Sequence, residues 1–342
     1  MLKKLLILCF VIFITFFALF IYDNPTQKNV LTFSSWGSIT EVEILQNVIK
    51  KYEEENPNIK IQFLHIPQNY FQKLHLLFAS NQAPDVIFIN NMYLPLYVSK
   101  LEDLSDWKNI KDFYPQSINA MTYNNKLYAI PRDVSNLVFY RNKSLIKKTP
   151  KDLNELLQIV SKSKKFGISY ERNLYYMMPY ILTFNENIYT PQKSLEYYKN
   201  LEGNYAPLPS EIGSSTLAQM FLNGDIGLYL SGRWLYPKIK EKAEFDWDII
   251  TFPGITPLDA SGWAISKSSK HKKEAREFIN YLSSKTTNEY FMQTGLIVPA
   301  RIDVAQNIDN KVFLKAINQS KTINYDKDFR KKADKINKKL FE

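Results

Sequence analysis

Strand-like and helix-like segments alternate over residues 30–89, and this alternation constrains the fold more than any other feature of the chain. Val30-Leu31-Thr32-Phe33-Ser34 reads as a short buried strand. Ser38-Ile39-Thr40-Glu41 is a capping-box pattern, in which a Ser and a Glu satisfy free backbone N–H groups at a helix start. Val42, Leu45, Val48, Ile49 and Tyr52 then recur at helical spacing, and Asn56-Pro57 ends the run. Ile59, Ile61 and Phe63 alternate as a second strand. Tyr70, Phe71, Leu74, Leu77 and Phe78 mark a second helix, broken at Ala83-Pro84 before a third strand at Asp85-Val86-Ile87-Phe88-Ile89. Strand, helix, strand, helix, strand implies right-handed crossovers and an open parallel sheet.

The roughly 310 residues after Asn29 exceed one compact core and suit two lobes. The later chain continues in α/β style. Leu153, Leu156, Leu157 and Val160 form an amphipathic stripe, as do Leu217, Met220 and Phe221. Strands are expected at Gly227-Leu228-Tyr229-Leu230, Ile249-Ile250-Thr251 and Trp263-Ala264-Ile265, and a helix over Ala275, Phe278, Ile279 and Leu282. No repeat of fixed period is evident.

The chain's first segment bears on location. Leu5 to Tyr22 is apolar apart from Thr15, and these 18 residues are long enough to span a bilayer. Lys3 and Lys4 bias the head to the cytoplasm, so the rest is exported. Phe16, Phe17, Leu19 and Phe20 stand where a cleavage site needs small residues, so residues 1–22 are expected to act as an uncleaved anchor rather than a cleaved signal peptide. Residues 23–29 form a polar linker. Cys9 is the only cysteine, which leaves the exported part without disulfides. His65, His75 and His271 lack ligand spacing, so no metal and no cofactor is expected.

The net charge of +10 raises the question of nucleic acid. Residues 321–342 hold eight Lys or Arg against four acids, which reads as the solvated face of a C-terminal helix. No nucleic-acid signature accompanies the charge, and no such partner is expected.

In open parallel sheets, ligands bind at the carboxyl ends of strands. Ser34-Ser35-Trp36-Gly37 lies there after the first strand, and Asn90-Asn91-Met92-Tyr93 after the third. Arg132-Asp133 offers a cation beside an anion. The chain has no G-x-S-x-G elbow, phosphate loop, H-E-x-x-H or G-x-G-x-x-G. Its many carboxylates still leave a surface glycan-cleaving enzyme as a rival reading.

The motifs together resemble the extracellular solute-binding proteins of bacterial ABC importers, in the sugar-binding group related to maltose-binding protein. Leu31-Thr32-Phe33-Ser34-Ser35-Trp36-Gly37 is similar to that family's first strand and ligand loop. Tyr52 to Ile61, with Asn56-Pro57, is similar to "F-x-x-x-N-P-x-I-x-V", and Ala83-Pro84-Asp85-Val86 to "A-P-D-V". Asn125-Lys126-Leu127-Tyr128-Ala129-Ile130-Pro131 is similar to "G-K-L-Y-G-V-P", with Asn125 replacing Gly. Leu137 to Lys143, Phe221 to Gly227, Gly232-Arg233-Trp234, Ser261 to Lys267 and Val298-Pro299-Ala300-Arg301 complete the series in order. Two departures stand out: Leu153 where Trp is usual, and Asp225-Ile226-Gly227-Leu228 in place of "A-A-M".

The resemblance implies an α/β, two-lobed periplasmic-binding-protein fold. Each lobe would be an open, mostly parallel sheet flanked by helices, with a ligand cleft between. The implied lobes are residues 30–130 with 260–303, and 131–259 with 304–342. The implied function is a periplasmic or cell-surface receptor, monomeric and membrane-held, that captures a sugar by hinge closure and delivers it to an ABC permease. Trp36, Tyr93, Trp234 and Trp263 would be aromatic plates for sugar faces. Asn90, Asn91, Arg132, Asp133 and Arg301 would bond the hydroxyl rim. Another small solute, a polyamine or an iron chelate, is the alternative within the same class.

Overall fold

The computed structural model describes residues 29–341, so the expected anchor and all of the linker but Asn29 lie outside the described residues. Strand β1 (Asn29–Ser35) pairs in parallel with β2 (Ile59–His65) and β3 (Val86–Asn90). Helix α1 (Ile39–Glu55) joins β1 to β2, and α2 (Tyr70–Ala79) joins β2 to β3. α1 starts where the capping box places it. The Ser38 hydroxyl accepts from the Glu41 N–H at 3.4 Å, and the Glu41 carboxylate accepts from the Ser38 N–H at 3.0 Å. The helix buries Leu45, Val48, Ile49 and Tyr52 on one face. Asp85, of the "A-P-D-V" segment, accepts from both the N–H and the hydroxyl of Thr32, at 2.8 and 2.6 Å, and so ties β3 to β1.

A two-stranded hairpin follows, β4 (Thr122–Tyr123) with β5 (Lys126–Leu127), and then β6 (Ile130–Ser135). The chain leaves for a second sheet at β7 (Val138–Asn142). That sheet has the order β10-β7-β9-β8, with β8 (Phe166–Ile168), β9 (Ile226–Ser231) and β10 (Trp247–Thr251). Helices α3 (Leu153–Val160) and α4 (Leu174–Thr183) belong to it. The chain returns through β11 (Thr256–Ile265), helix α5 (Lys272–Leu282), β12 (Val298–Pro299) and β13 (Ser320–Thr322). The first sheet is then β12-β6-β11-β3-β1-β2, with β13 beside β11. Helix α6 (Phe329–Lys339) follows and, through Phe329, Ala333 and Ile336, packs into the core of the second sheet.

Strand directions are more mixed than the mostly parallel sheets that the resemblance implies. β11 runs antiparallel to both β3 and β6, and β7 antiparallel to both β9 and β10; β8 and β9 are parallel. β11 re-enters the first sheet from the second and so meets β3 head to tail. Gly262 sits where the register of β11 on β6 shifts. A Cβ there would lie 2.4 Å from the Ile130 carbonyl oxygen, so only Gly allows the two strands to approach. Among the described residues no helix is long and apolar enough to cross a membrane.

Candidate functional site

One edge of the first sheet gathers the carboxyl ends of β1, β3 and β6. β1 runs into Trp36 and Gly37, β3 ends at Asn90, and β6 ends at Ser135. β11 is antiparallel to β3 with Ser261 opposite Asn90, so Asp259 also lies at this edge, opposite Ser135. On the second sheet the parallel strands β8 and β9 end at Ser169-Tyr170-Glu171 and Gly232-Arg233-Trp234. These are the edges at which open α/β sheets hold ligands.

Trp36 keeps 46% of its surface exposed and meets the edge of Phe88, with ring centroids 6.0 Å apart. Trp234 keeps 41% exposed, and its indole lies back over Gly232. A Cβ at Gly232 would stand 2.0 Å from that ring, so glycine lets the indole lie flat on the strand end. Two large aromatic faces thus stand open to solvent, one on each sheet.

Arg132 and Asp133 are both 5% exposed and pair with each other beneath this edge. Arg132 also reaches Glu41 of α1 at 3.5 Å, and its guanidinium lies 5.1 Å from the Phe88 ring centroid. They stand next to Trp36 through Phe88 but inside the lobe. Burial raises the Asp133 carboxyl above its ordinary value, against the opposing pull of Arg132.

Asn91 is buried and hydrogen-bonded through both ends of its amide. Its Nδ2 donates to Asp259 at 3.2 Å, and its Oδ1 accepts from the Ala260 N–H at 3.3 Å. The Tyr325 hydroxyl donates to the same Asp259 oxygen at 3.0 Å. Tyr175 of α4 lies beside both Asp259 and Ser135, and burial holds its hydroxyl well above its ordinary value. Burial raises the Asp259 carboxyl, although the hydrogen bonds from Tyr325 and Asn91 oppose it. The cluster draws Asn91, Ser135 and Asp259 from the first sheet's strands or their ends, and Tyr175 and Tyr325 from the second core. Nearby on the second sheet, burial also raises the Glu171 carboxyl. Tyr176 is pushed up to about 12, mainly by burial and then by the Glu171 charge.

Three expected ligand residues are placed elsewhere. Trp263 has no exposed surface; its ring is enclosed by Phe33, Phe88 and Phe291 at 5.3, 6.0 and 6.4 Å. β11 is a central strand covered on both faces, so Trp263 is core and offers no plate. Arg301 spends its donors on Asp303 at 3.1 Å, Asp112 at 3.3 Å and the Ser283 carbonyl at 3.4 Å. It is a clamp between loops of the first lobe. Tyr93 stacks on Phe71 at 3.6 Å and carries the Arg330 guanidinium 4.8 Å from its centroid, so neither face is open. Asn90 remains at the edge, half-buried, with its amide oxygen accepting the Tyr93 N–H at 3.1 Å.

Asp259, Ser135, Glu171, Tyr175, Tyr176 and Tyr325 escape sequence reasoning. Asp259 precedes the Ser261-Gly262-Trp263 motif by two residues, the nearest thing to a signal. The tyrosines are lost among 22 in the chain.

The sequence profile of the family described as bacterial extracellular solute-binding protein matches residues 47–321. The chain belongs to that family. Among curated relatives, the maltodextrin-binding protein of Bacillus subtilis is 24% identical over 337 residues, covering 84% of this chain and 78% of that one. The maltotriose-binding protein of Pyrococcus abyssi is 22% identical over 243 residues, or 65% of this chain and 53% of that protein, so the match spans about half of that relative's length. Among solved structures, an ABC substrate-binding protein from Listeria monocytogenes in complex with cycloalternan superposes with a TM-score of 0.79 at 21% identity, covering 92% of this chain and 94% of that one. A cyclo/maltodextrin-binding protein complexed with maltotetraose gives 0.78 at 17% identity, with 93% of each chain covered. The solute-binding protein described here therefore shares the two-lobed fold of these receptors.

Proposed function

We propose that this solute-binding protein captures a sugar or oligosaccharide between its lobes and hands it to an ABC permease. The observation that carries the reading is the pair of exposed indoles, Trp36 on one sheet and Trp234 on the other. Sugars have apolar C–H faces that stack on such plates and hydroxyls that need polar partners around them. Asn90 and Ser135 end strands β3 and β6 of the first sheet and Ser231 ends β9 of the second, so polar groups accompany each plate at the strand ends. Arg132 and Asp133 act from beneath by fixing α1 and the Trp36 loop. The related proteins named for maltotriose and maltodextrin support a glucan-like solute.

In this reading the first lobe is residues 30–130 with 260–303, the second is 131–259 with 304–342, and β6 and β11 span the boundary as hinge strands. The protein works as a monomeric receptor rather than an enzyme, and residues 5–22 hold it to the membrane from outside. Titration calorimetry of the full chain with maltotriose checks the reading: one molecule bound per chain and recovered intact is the expected result. Shorter sugars released from a labelled maltodextrin would instead show a glycan-cleaving enzyme. N-terminal sequencing of protein from native membranes tests the anchor, which requires the chain to start before Leu5.

A further inference from the structure

Gly232 has no backbone reason to be a glycine. Its φ is −101° and its ψ −175°, extended values that any residue adopts. At Gly203, Gly213, Gly224 and Gly295 a positive φ accounts for the residue. At Gly167 and Gly262 the atom nearest to an added Cβ is a backbone carbonyl oxygen, so those glycines serve close packing of the backbone. At Gly232 the three nearest atoms all belong to one side chain: Cζ3, Cη2 and Cε3 of Trp234, at 2.0, 2.3 and 2.4 Å. These are three successive carbons of the six-membered ring, at nearly equal distances. A contact at the ring's edge would leave the two flanking carbons much farther away than the middle one. The Cβ direction of Gly232 therefore points into the face of the indole.

The strand end beneath the ring is pinned. The Gly232 carbonyl accepts from the hydroxyl of Tyr140, a fully buried residue, at 2.9 Å. Arg233, itself buried, donates through Nε to the Ile297 carbonyl and through Nη2 to Asp309, both at 2.9 Å. The indole is the part that can move, with 41% of Trp234 in solvent. A side chain at position 232 would thus displace the ring and leave the strand in place. We infer that Gly232 is a positioning residue for the solute: it seats one face of the Trp234 indole on the end of β9, so that the plate offers only its outer face and is set before the solute arrives. A plate fixed in advance costs less ordering on binding than one that rotates freely. Trp36 is held differently, by the edge-on contact with Phe88 at an interplanar angle of 72°. This inference rests on the sugar-capture reading above and adds the residue that sets the second lobe's plate.

The test uses the full chain in a non-glycosidic detergent, with Gly232→Ala, Trp234→Ala and the double variant. Alanine at an extended position restricts the unfolded chain without straining the folded one, so the urea midpoint of Gly232→Ala should equal or exceed that of the wild type. A clearly lower midpoint would mean that the strand gives way and the ring does not, which overturns the inference. Calorimetry with maltotriose is expected to show Gly232→Ala binding about tenfold more weakly, a partial loss of an aromatic anchor. In the Trp234→Ala background the same change should have no further effect, because two substitutions that act through one side chain are not additive. Wild-type affinity in Gly232→Ala, or a further tenfold loss in the double variant, would overturn the inference and leave the sugar reading standing. A second readout needs no sugar. Acrylamide quenching of the Trp234 emission, taken as the difference from the matching Trp234→Phe chain, should rise in Gly232→Ala as the seated face opens; unchanged quenching would sink the seating. If the wild type binds no maltotriose, the sugar reading fails and the quenching alone decides whether Gly232 seats the ring.

Discussion

Trp36, Trp234 and Trp263 carry one side chain into opposite environments, and the outcomes differ accordingly. Trp36 and Trp234 end strands and stand in solvent; Trp263 lies mid-strand with no exposed surface. Trp36→Ala should weaken sugar binding by about 2 kcal/mol, as the loss of a central aromatic anchor does, with little change in melting temperature. Trp263→Ala should instead cost about 3–5 kcal/mol of stability, the price of a cavity in a packed core. Calorimetry and urea unfolding on both variants separate the two roles, and a Trp36→Ala protein of unchanged affinity would remove that indole from the site. Asp259 differs again. Burial holds its carboxyl above the ordinary value of 3.8. A carboxyl raised in the folded state leaves stability fullest below its unfolded value, about 3.9, and stability falls as pH rises through the folded value. Relative to Asp259→Asn, the wild type should therefore lose stability between pH 4 and pH 7. Urea midpoints at both pH values measure this, and an equal difference at each would contradict it.

At the scale of elements, α1 shows how local sequence and the site are joined. Ser38 and Glu41 cap the helix through backbone N–H groups, and Glu41 also reaches Arg132 at 3.5 Å. The cap thus ties the helix start to the buried pair below Trp36. Ser38→Ala should cost about 1 kcal/mol of stability by urea unfolding, the usual loss for an N-cap hydroxyl. α6 has a different place. Its basic outer face is solvated, as the tail's charge pattern suggests, but Phe329, Ala333 and Ile336 bury against the second core, and Arg330 crosses to Tyr93 of the first lobe. Helical spacing in the tail is legible; that one arginine leaves the charged face to join the lobes is not, because Tyr93 lies more than 230 residues earlier in the chain.

For the molecule as a whole, two sheets share one cleft, and the contacts across it set how it moves. Asn91 and Asp259 from the first sheet meet Tyr325 from the second core. A ligand favours the closed form only through contacts on both sides, since equal affinity for both states shifts nothing. Small-angle scattering should show compaction when the cognate sugar is added, as hinge closure of two lobes requires. Trp234→Ala should reduce that compaction more than Trp36→Ala if docking begins on the first lobe. An unchanged radius of gyration at saturating sugar would point to a rigid cleft.

Local order was readable from the residues alone. The capping box, the Asn56-Pro57 stop and the alternation in β2 placed α1 and its flanking strands, because hydrogen bonds and burial at those points are decided within a few positions of sequence. The ordered motifs likewise carried the family and Trp36 and Trp234 as exposed aromatics. Only the tertiary structure decided the rest. Trp263 and Arg301 looked like site residues because motif position says nothing about which face a neighbouring strand or loop will cover. Tyr93 was closed off by an arginine on the last helix, and Asp259 became the centre of a hydrogen-bonded cluster through partners 66 and 168 residues away. Strand direction was hidden for the same reason: β11 is antiparallel because of where the chain returns from, and no residue within it records that path.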